Sequence, residues 1–220
     1  MQFVYHERSK EPFIEVEGEV YKYLFRVRRF KRGDLLSFRN LRDPFLYFYR
    51  VEEVGKKRAV LKLEESEERV VEPLKELYLF WCVIDPKTIE KTLPMLNEMG
   101  VKGITFVYCD RSQKNFRLDF KRFERILINS CMQCGRSSLM SLDSLSSVEE
   151  IETKDLYILD FGKDIYKGND EIKKILVGPE GGFSDREREI FKDLKGISFD
   201  TPLILKSETA CLAVSSKILL

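Results

Sequence analysis

The sequence predicts an α/β protein in which a small β barrel precedes a mostly parallel sheet flanked by helices. Two observations support this fold class. Up to about residue 70, short apolar segments alternate with turn signals, whereas from residue 74 onward short apolar strands alternate with longer segments of helical period. The pattern from residue 74 onward is typical of a parallel α/β sheet. We therefore expect two domains, residues 1–70 and 71–220, which a chain of 220 residues can accommodate.

The N-terminal part contains three candidate strands, at residues 35–38, 46–51 and 59–63. Turn signals separate them at Gly33-Asp34, at Asp43-Pro44 and at Gly55, because Gly, Pro and Asp adopt the backbone angles that turns need. The acidic run at residues 64–68 is polar and is soon followed by Pro73. This segment is the linker that the sequence predicts between the two domains.

The C-terminal part contains four candidate strands, at residues 77–84, 104–108, 156–159 and 175–177. Asp85 followed by Pro86 is typical of a helix start, and Gly100 is typical of its end. Apolar residues at helical spacing predict a second helix over residues 119–134.

The composition indicates a globular chain, with 43% hydrophobic and 34% charged residues. Its longest wholly apolar run, residues 77–84, is too short to span a membrane, and the N-terminus lacks the pattern of a targeting signal. Five cysteines, an odd number, favour reduced thiols and a cytoplasmic location. Cys131 and Cys134 form a lone Cys-x-x-Cys without a second pair, and His6 is the only histidine, so we expect no metal site.

Basic residues are concentrated in the N-terminal part. Residues 1–62 carry 15 Lys and Arg against 9 Asp and Glu, although the whole chain has a net charge of only +1. The cluster contains Arg26, Arg28, Arg29, Lys31 and Arg32, with Tyr23, Phe25 and Phe30 among them. It could hold phosphates and stack on bases, or it could be a solvated strand face and turn.

A glycine-rich turn at residues 178–182 joins a buried strand to a helix. Ser184 and Glu187 form a capping box at the helix start, a buried face of Ile190, Phe191 and Leu194 follows, and Gly196 is the predicted end. Glycines at such a junction let the backbone approach a ligand closely, and ligands of parallel α/β sheets bind at this edge. An ordinary tight turn is the alternative, since the pattern is neither GxGxxG nor a phosphate-binding Walker loop.

Several motifs in one order resemble the RsmE family of the SPOUT superfamily. Residues 178–184, Gly-Pro-Glu-Gly-Gly-Phe-Ser, resemble its signature loop, and residues 205–210, Leu-Lys-Ser-Glu-Thr-Ala, resemble its Leu-Arg-Thr-Glu-Thr-Ala segment. Residues 132–136 are similar to its Glu-Gln-Cys/Ser-Gly-Arg helix end, and residues 98–101 and 110–112 match its Glu-Leu-Gly-Val and Glu-Arg-Ser segments. These matches cover about residues 77–220, and residues 23–34 loosely resemble its PUA-like N-terminal segment.

The resemblance implies an S-adenosyl-L-methionine (SAM)-dependent methyltransferase that acts on 16S rRNA in the 30S ribosomal subunit. The family methylates N3 of a uridine, uridine 1498, without a metal. The resemblance also implies a trefoil knot in the C-terminal domain and a homodimer that holds RNA between the PUA-like domain of one subunit and the cofactor domain of the other. Periodicity alone would not suggest a knot, because knots are rare.

Mapped onto this chain, the resemblance assigns three sets of residues. The predicted cofactor-binding residues are Leu159, Asp160, Phe161, Val177, Gly178, Pro179, Glu180, Gly181, Gly182, Leu203, Leu205, Ser207, Thr209 and Ala210. The predicted catalytic residues are Lys206, Glu208 and Arg136. The predicted RNA-binding residues are Arg26, Arg28, Arg29, Arg32 and Arg111.

The chain departs from the family pattern at three positions, where Lys206 replaces arginine, Thr201 replaces glycine and Met132 replaces glutamate. Lys206 could instead point to solvent or pair with an acid such as Glu208. Arg111 and Arg136 could be structural instead of contacting RNA.

Other readings of the sequence remain open. Phe116, Phe120 and Phe123 are at helical spacing, which favours a core over a stacking platform. A methyltransferase of the same superfamily acting on a ribose hydroxyl of tRNA is one alternative function. A non-catalytic RNA-binding assembly factor is the other.

Overall fold

The computed structural model describes residues 2–112, 116–168 and 171–220 and, for residues 162 and 163, the backbone alone. The chain forms two compact units. The first comprises Met1–Glu72 and Ile128–Leu139, and the second comprises Pro73–Leu127 and Met140–Leu220. The sequence predicted a division after residue 70 and contained no sign that residues 128–139 would pack with the N-terminal part.

The first unit is built on a five-stranded, curled sheet in the order β1-β3-β4-β5-β2. The strands are β1 (Val4–Tyr5), β2 (Phe13–Glu17), β3 (Leu35–Arg39), β4 (Phe45–Val54) and β5 (Arg58–Glu68). β1 pairs parallel with β3, and the other pairs are antiparallel. Leu24, Phe38, Tyr49 and Leu61 are each 0% exposed in its core. The three predicted strands are confirmed as β3, β4 and β5.

The acidic run at residues 64–68 is not a linker, as the sequence predicted, but the end of β5. It pairs with the start of β4, where Phe45 faces Glu68 and Phe48 faces Glu65. Backbone pairing requires no apolar side chain, so carboxylates are tolerated on a strand that faces water. The Arg50 guanidinium adds two hydrogen bonds to Glu64, at 2.5 and 2.6 Å.

The segment that carries the basic cluster is helical at its start and not a strand face. Helix α1 (Gly18–Tyr21) continues into a π-helical segment at Lys22–Val27. Tyr21, Leu24 and Phe25 are buried, which is the spacing of a helix face and not the alternation of a strand. Arg29, just beyond the segment, has a φ of +62°, a left-handed conformation that is uncommon outside glycine.

The second unit is built on a six-stranded parallel sheet in the order β11-β9-β10-β6-β7-β8. The strands are β6 (Tyr78–Cys82), β7 (Gly103–Val107), β8 (Ser141–Leu145), β9 (Leu156–Ile165), β10 (Lys174–Val177) and β11 (Lys195–Ser198). The helices are α2 (Pro86–Met99), α3 (Phe120–Cys134), α4 (Asp185–Ile190) and α5 (Ser207–Leu219), with a 3-10 turn at Val148–Glu150. The part of α3 from Ile128 onward belongs to the first unit.

Four predicted strands and the predicted helix starts are confirmed in this unit. α2 begins at Pro86 and is closed by Gly100, whose φ of +100° is left-handed. β8 was missed because its sequence, Ser-Leu-Asp-Ser-Leu, is mostly polar. α4 was predicted to reach Gly196, but it ends at Ile190, and Gly196 belongs to β11, opposite Ile158 of β9.

The predicted core position is confirmed for Phe123 of α3. The ring of Phe106 in β7 lies 5.8 Å from that of Phe123 and 6.3 Å from that of Phe120. Phe123 is fully buried, whereas Phe116 and Phe120 are only partly buried. Within the described residues, no helix is long and apolar enough to cross a membrane.

Cys82 and Cys109 form a disulfide, so the prediction of reduced thiols is wrong for this pair. Cys82 ends β6 and lies opposite Val107, the last residue of β7, so strand pairing brings the two cysteines together. They are 27 positions apart in the sequence, and their spacing therefore could not reveal the pairing. The other three cysteines, Cys131, Cys134 and Cys211, are thiols outside this disulfide.

Candidate cofactor site

A cavity in the second unit lies where β10 ends and the glycine-rich turn begins. Parallel α/β sheets bind ligands at this edge because loops rather than helices cover the carboxyl ends of the strands. Its lining consists of Leu159, Asp160, Phe161, Val177, Gly178, Pro179, Gly182, Phe183, Arg188, Ser198, Phe199, Thr201, Leu203, Leu205, Ser207 and Ala210. Three stretches of chain therefore meet there, from β9, from the turn after β10 and from the segment between β11 and α5.

The glycine-rich turn needs its glycines for two different reasons. Gly182 has a φ of +66°, and its N–H donates to the Pro179 carbonyl at 2.9 Å. A residue with a side chain is strained in this left-handed conformation. A Cβ at Gly178 would lie 3.1 Å from the ring of Phe183, which is 3% exposed and cannot easily move. Gly182 is therefore required by the turn conformation, and Gly178 allows close packing against Phe183.

Ser207, the first residue of α5, ties that helix to the glycine-rich turn. Its hydroxyl donates to the Gly178 carbonyl at 2.6 Å and accepts from the indole Nε1 of Trp81 at 2.9 Å. Both Ser207 and Trp81 are buried, so water does not compete for these hydrogen bonds. The serine therefore helps to set the distance between two walls of the cavity.

Glu187 fixes the other end of the turn. The predicted capping box is present, since the Ser184 hydroxyl accepts from the Glu187 N–H and the Glu187 carboxylate accepts from the Ser184 N–H at 2.8 Å. The same carboxylate accepts from the Asp110 N–H, also at 2.8 Å, and it is completely buried. One carboxylate therefore joins the start of α4 to the loop that follows β7.

Arg186 strengthens this junction from the solvent side. Its guanidinium contacts the carboxylates of Asp110, with Nη2 to Oδ1 at 2.9 Å, and of Glu149. Hydrogen bonds to Asp110 and Glu149 raise the pKa of Arg186, and the hydrogen bond from Arg186 lowers the pKa of Glu149. The arginine thus stays charged, and its charge is already balanced by two acids.

Arg188 and Asp160 form an ion pair in the cavity wall. Asp160 also accepts from the Phe161 N–H at 3.0 Å, so the conformation of its side chain is fixed from two sides. The Asp160 side chain is 13% exposed and that of Arg188 is 47% exposed. Arg188 was not predicted, because nothing along the sequence links α4 to its partner in β9.

The apolar part of the cavity is open to solvent. Leu203 is 68% exposed and Phe161 is 66% exposed, and Ile204 beside the cavity is 81% exposed. Exposed apolar groups around a cavity with a few polar groups are typical of a ligand site.

Eleven of the fourteen predicted cofactor residues line this cavity. The other three are outside the lining: Glu180 and Gly181 lie in the glycine-rich turn, and Thr209 lies in the first turn of α5. The cavity also includes Phe183, Arg188, Ser198, Phe199 and Thr201, which were not predicted to bind the cofactor. Three of these five residues, Ser198, Phe199 and Thr201, lie at the end of β11 or just after it, and β11 has no clear sequence signal.

The predicted catalytic residues lie in both units. Lys206 is exposed at the N-cap of α5, between the lining residues Leu205 and Ser207, and its ammonium has no ion-pair partner in the described part of the chain. Glu208 is partly buried in the first turn of α5. Arg136 belongs to the first unit, where it is 4% exposed and its Nε lies 3.9 Å from Oε2 of Glu72. Burial lowers the pKa of Arg136, and the Glu72 charge opposes that shift.

The predicted RNA-binding residues also divide between the units. Arg26, Arg28, Arg29 and Arg32 are exposed in the first unit. Arg26 has structural contacts as well, because it donates to the Lys56 carbonyl at 3.1 Å and covers the ring of Tyr21. Arg111 is exposed in the second unit and donates to the Gly181 carbonyl at 2.5 Å.

Two family models match the sequence of this chain. An RNA methyltransferase domain matches residues 71–219, and the PUA domain of RNA methyltransferases matches residues 16–64. Ribosomal RNA small subunit methyltransferase E of Helicobacter pylori is 43% identical over 98% of each chain. The chain belongs to the RsmE family. The enzyme of the same name from Aquifex aeolicus is 29% identical to this RsmE member over 97% of the chain and 96% of its own length.

Solved structures share the fold of this RsmE member. A Legionella pneumophila protein solved with bound SAM has a TM-score of 0.81 and 24% identity, and the match covers 98% of this chain and 95% of that one. Ribosomal RNA small subunit methyltransferase E of Neisseria gonorrhoeae, also bound to SAM, has a TM-score of 0.78, 18% identity and the same coverage. The resemblance inferred from the motifs and the predicted α/β fold with a PUA-like N-terminal domain are therefore confirmed.

Proposed function

We propose that the chain methylates N3 of a uridine in 16S rRNA, corresponding to the family's uridine 1498. As an RsmE family member, the chain is a SAM-dependent rRNA methyltransferase of the small ribosomal subunit. The target atom is the part that we propose. The observation that carries the proposal is the cavity, because the chain segments of the two family motifs meet in its wall.

The lining suits SAM by shape and chemistry. The side chains of Leu159, Leu203 and Leu205 can cover the faces of the adenine, while the polar backbone of the glycine-rich turn and of residues 202–209 can bind its edges and the methionine portion. Gly178 and Gly182 line the cavity and carry no side chain, which lets the backbone approach a ligand closely. We assign the lining residues as the cofactor site on this basis.

The reaction requires the removal of a proton from a weak acid. When bound, SAM supplies a methyl group on a sulfonium, so that the N3–carbon bond forms as the sulfur–carbon bond breaks. The N3 proton passes to water or to a base at the site, and negative charge builds on the uracil. Lys206 can balance this charge, since its ammonium is free of ion pairs in the described residues and the N-terminus of α5 adds a partial positive charge. Positioning of the two reactants supplies much of the remaining rate.

We also propose the finer architecture that the family implies, a SPOUT-type trefoil knot and a homodimer acting in the cytoplasm. The parallel six-stranded sheet and the long segment between β11 and α5 are compatible with this topology. Light scattering of the purified protein at micromolar concentration should give the mass of two chains. A monomer mass under these conditions would count against the dimer.

The target nucleotide is tested by mass spectrometry of 16S rRNA and of tRNA from a strain that lacks the gene. The expected result is the loss of one N3-methyluridine, which returns when the gene is supplied on a plasmid. Loss of a ribose methyl from tRNA would indicate the alternative superfamily activity. Unchanged RNA modification would indicate a non-catalytic assembly factor.

A further inference from the structure

The carbonyl of Gly181 is held by a side chain from a distant part of the sequence. Nη1 of Arg111 donates to this carbonyl at 2.5 Å, although the two residues are 70 positions apart. A Cβ on Gly181 would lie 3.3 Å from Cδ of Arg111, so the arginine stem also packs against the bare face of the glycine. Arg111 therefore contacts the glycine-rich turn by both a hydrogen bond and van der Waals packing.

The backbone that carries Arg111 is itself fixed on both sides. On one side, the Asp110 N–H donates to the buried Glu187, and the Asp110 carboxylate accepts from the Ser184 hydroxyl at 2.6 Å and from Arg186. On the other, the Ser112 N–H donates to the Cys109 carbonyl at 3.0 Å, and the Ser112 hydroxyl accepts from the Cys109 N–H. Hydrogen bonds thus hold the backbone of residues 109–112 on both sides of Arg111.

From these contacts we propose that Arg111 is a positioning residue that holds the glycine-rich turn in its cofactor-binding conformation. The proposal rests on the proposed function, since it requires the cavity to bind SAM. Gly181 is outside the lining, but its neighbour Gly182 is part of it, so the arginine acts on the cavity through the turn. This role differs from the RNA contact predicted from the sequence, because it operates before any RNA is bound.

The test is the affinity for SAM, measured by calorimetry without RNA. Arg111→Met keeps the length and packing of the stem but removes the donor, and SAM should bind about tenfold more weakly. Arg111→Lys restores a cationic donor and should recover most of the affinity. Arg125→Met is the matched control, since Arg125 is exposed and, among the residues that the structure describes, its guanidinium donates only to the Lys121 carbonyl of its own helix, at 3.3 Å. This control should bind SAM like the wild type.

Kinetics and a double variant separate positioning from a general loss of structure. KM for SAM should rise by about the same factor as Kd, whereas kcat at saturating SAM and KM for RNA should stay near wild type. Gly181→Ala disturbs the same contact from the turn. The double variant Arg111→Ala, Gly181→Ala should bind SAM no more weakly than Arg111→Ala alone, because Arg111→Ala already removes both the donor and the stem that the new methyl group would meet. Thermal melting of each variant confirms that it is folded.

Each outcome has a defined meaning. If wild type binds SAM and Arg111→Met binds it equally well, the positioning role is rejected. A fall in RNA affinity alone would then assign Arg111 to the RNA interface. If the wild-type protein itself does not bind SAM, the proposed function is rejected, and the positioning role is rejected with it. Additive losses in the double variant would also overturn the proposal, since they would show that Arg111 and Gly181 act separately.

Discussion

Lys206 is the position at which this chain differs from the arginine of its family in the segment next to the cavity. Its neighbours Leu205 and Ser207 both line the cavity, and its side chain is exposed. The pairing with Glu208 that the sequence left open does not occur in the described residues. A lysine offers one compact charge on a flexible stem, whereas arginine offers a planar fork of donors. The lysine can therefore balance charge on uracil, though with less defined geometry.

We predict that Lys206→Ala loses most of kcat with little change in the affinity for SAM. The physical reason is that the charge is needed only when negative charge develops on the uracil. Lys206→Arg should keep or raise the activity. Single-turnover methylation of 30S subunits measures the chemical step directly, and a rate for the alanine variant near that of wild type would leave Lys206 without a catalytic role.

Gly182 and Gly181 should respond differently to the same substitution. Gly182→Val forces a β-branched side chain into a left-handed conformation, with a cost of at least about 1–2 kcal/mol for the backbone alone. We expect SAM binding to be abolished. Gly181→Val meets the flexible stem of Arg111 and should weaken binding less. Calorimetry in metal-free buffer measures the SAM affinity of both variants. Wild-type affinity in both would show that the turn is not part of the cofactor site.

At the scale of elements, the turn between β3 and β4 shows how one carboxylate organises a connection. Asp43 accepts from the Asn40 amide and the Tyr47 hydroxyl, both at 2.8 Å, and from the Phe45 N–H at 3.0 Å. Burial raises the pKa of Asp43, but these hydrogen bonds outweigh burial and the net shift is downward. Burial and the Asp43 carboxylate together raise the pKa of Tyr47. The turn is thus built around an ionised aspartate.

Asp43→Ala should therefore lower the free energy of unfolding by roughly 1–3 kcal/mol at neutral pH. Because the pKa of Asp43 is lowered on folding, its contribution is present above the pKa of a free aspartate, about 3.9, and is lost as the pH falls through the folded value. Urea unfolding of the wild type and of Asp43→Ala, from neutral to acid pH, measures the difference in their free energies of unfolding. The difference should shrink only in the acid range, and a constant difference at all pH values would exclude the ionised form as its source.

At the scale of the whole molecule, the charge is distributed unevenly along a nearly neutral chain. The exposed arginines that follow the π-helical segment contribute to the basic excess of residues 1–62. Phosphate contacts are electrostatic and depend on salt, whereas the cofactor cavity is made by another unit of the chain. RNA binding and SAM binding should therefore be separable.

Reversal of two charges tests this separation. Arg28→Glu with Arg29→Glu should weaken binding to a 16S rRNA fragment and reduce its salt dependence, while SAM affinity stays unchanged. Lys154→Glu with Lys192→Glu changes the net charge equally in the second unit and is the matched control. Fluorescence anisotropy over a salt series measures the RNA affinity. Equal losses in both double variants would indicate a non-specific charge effect.

Much of the fold was predictable from local patterns. The period of apolar residues predicted β3 to β7, β9 and β10, and Asp85-Pro86 with Gly100 predicted the bounds of α2. The elements that were missed have weak patterns, such as the polar β8, or patterns with two readings, such as the acidic end of β5. Their conformation comes from pairing with a neighbouring strand, which is a non-local interaction.

The sequence by itself determined the α/β class, the family and most of the residues around the cavity, because these depend on periodicity and on motifs that are continuous in the chain. Only the tertiary structure decided which residues from distant parts of the chain contact each other around the cavity. The contacts of Arg188 with Asp160, of Arg111 with Gly181 and of Ser207 with Trp81 join segments 28 to 126 positions apart. The physical reason is that hydrogen bonds and ion pairs act over a few ångströms of space, and folding alone brings such distant residues within that range.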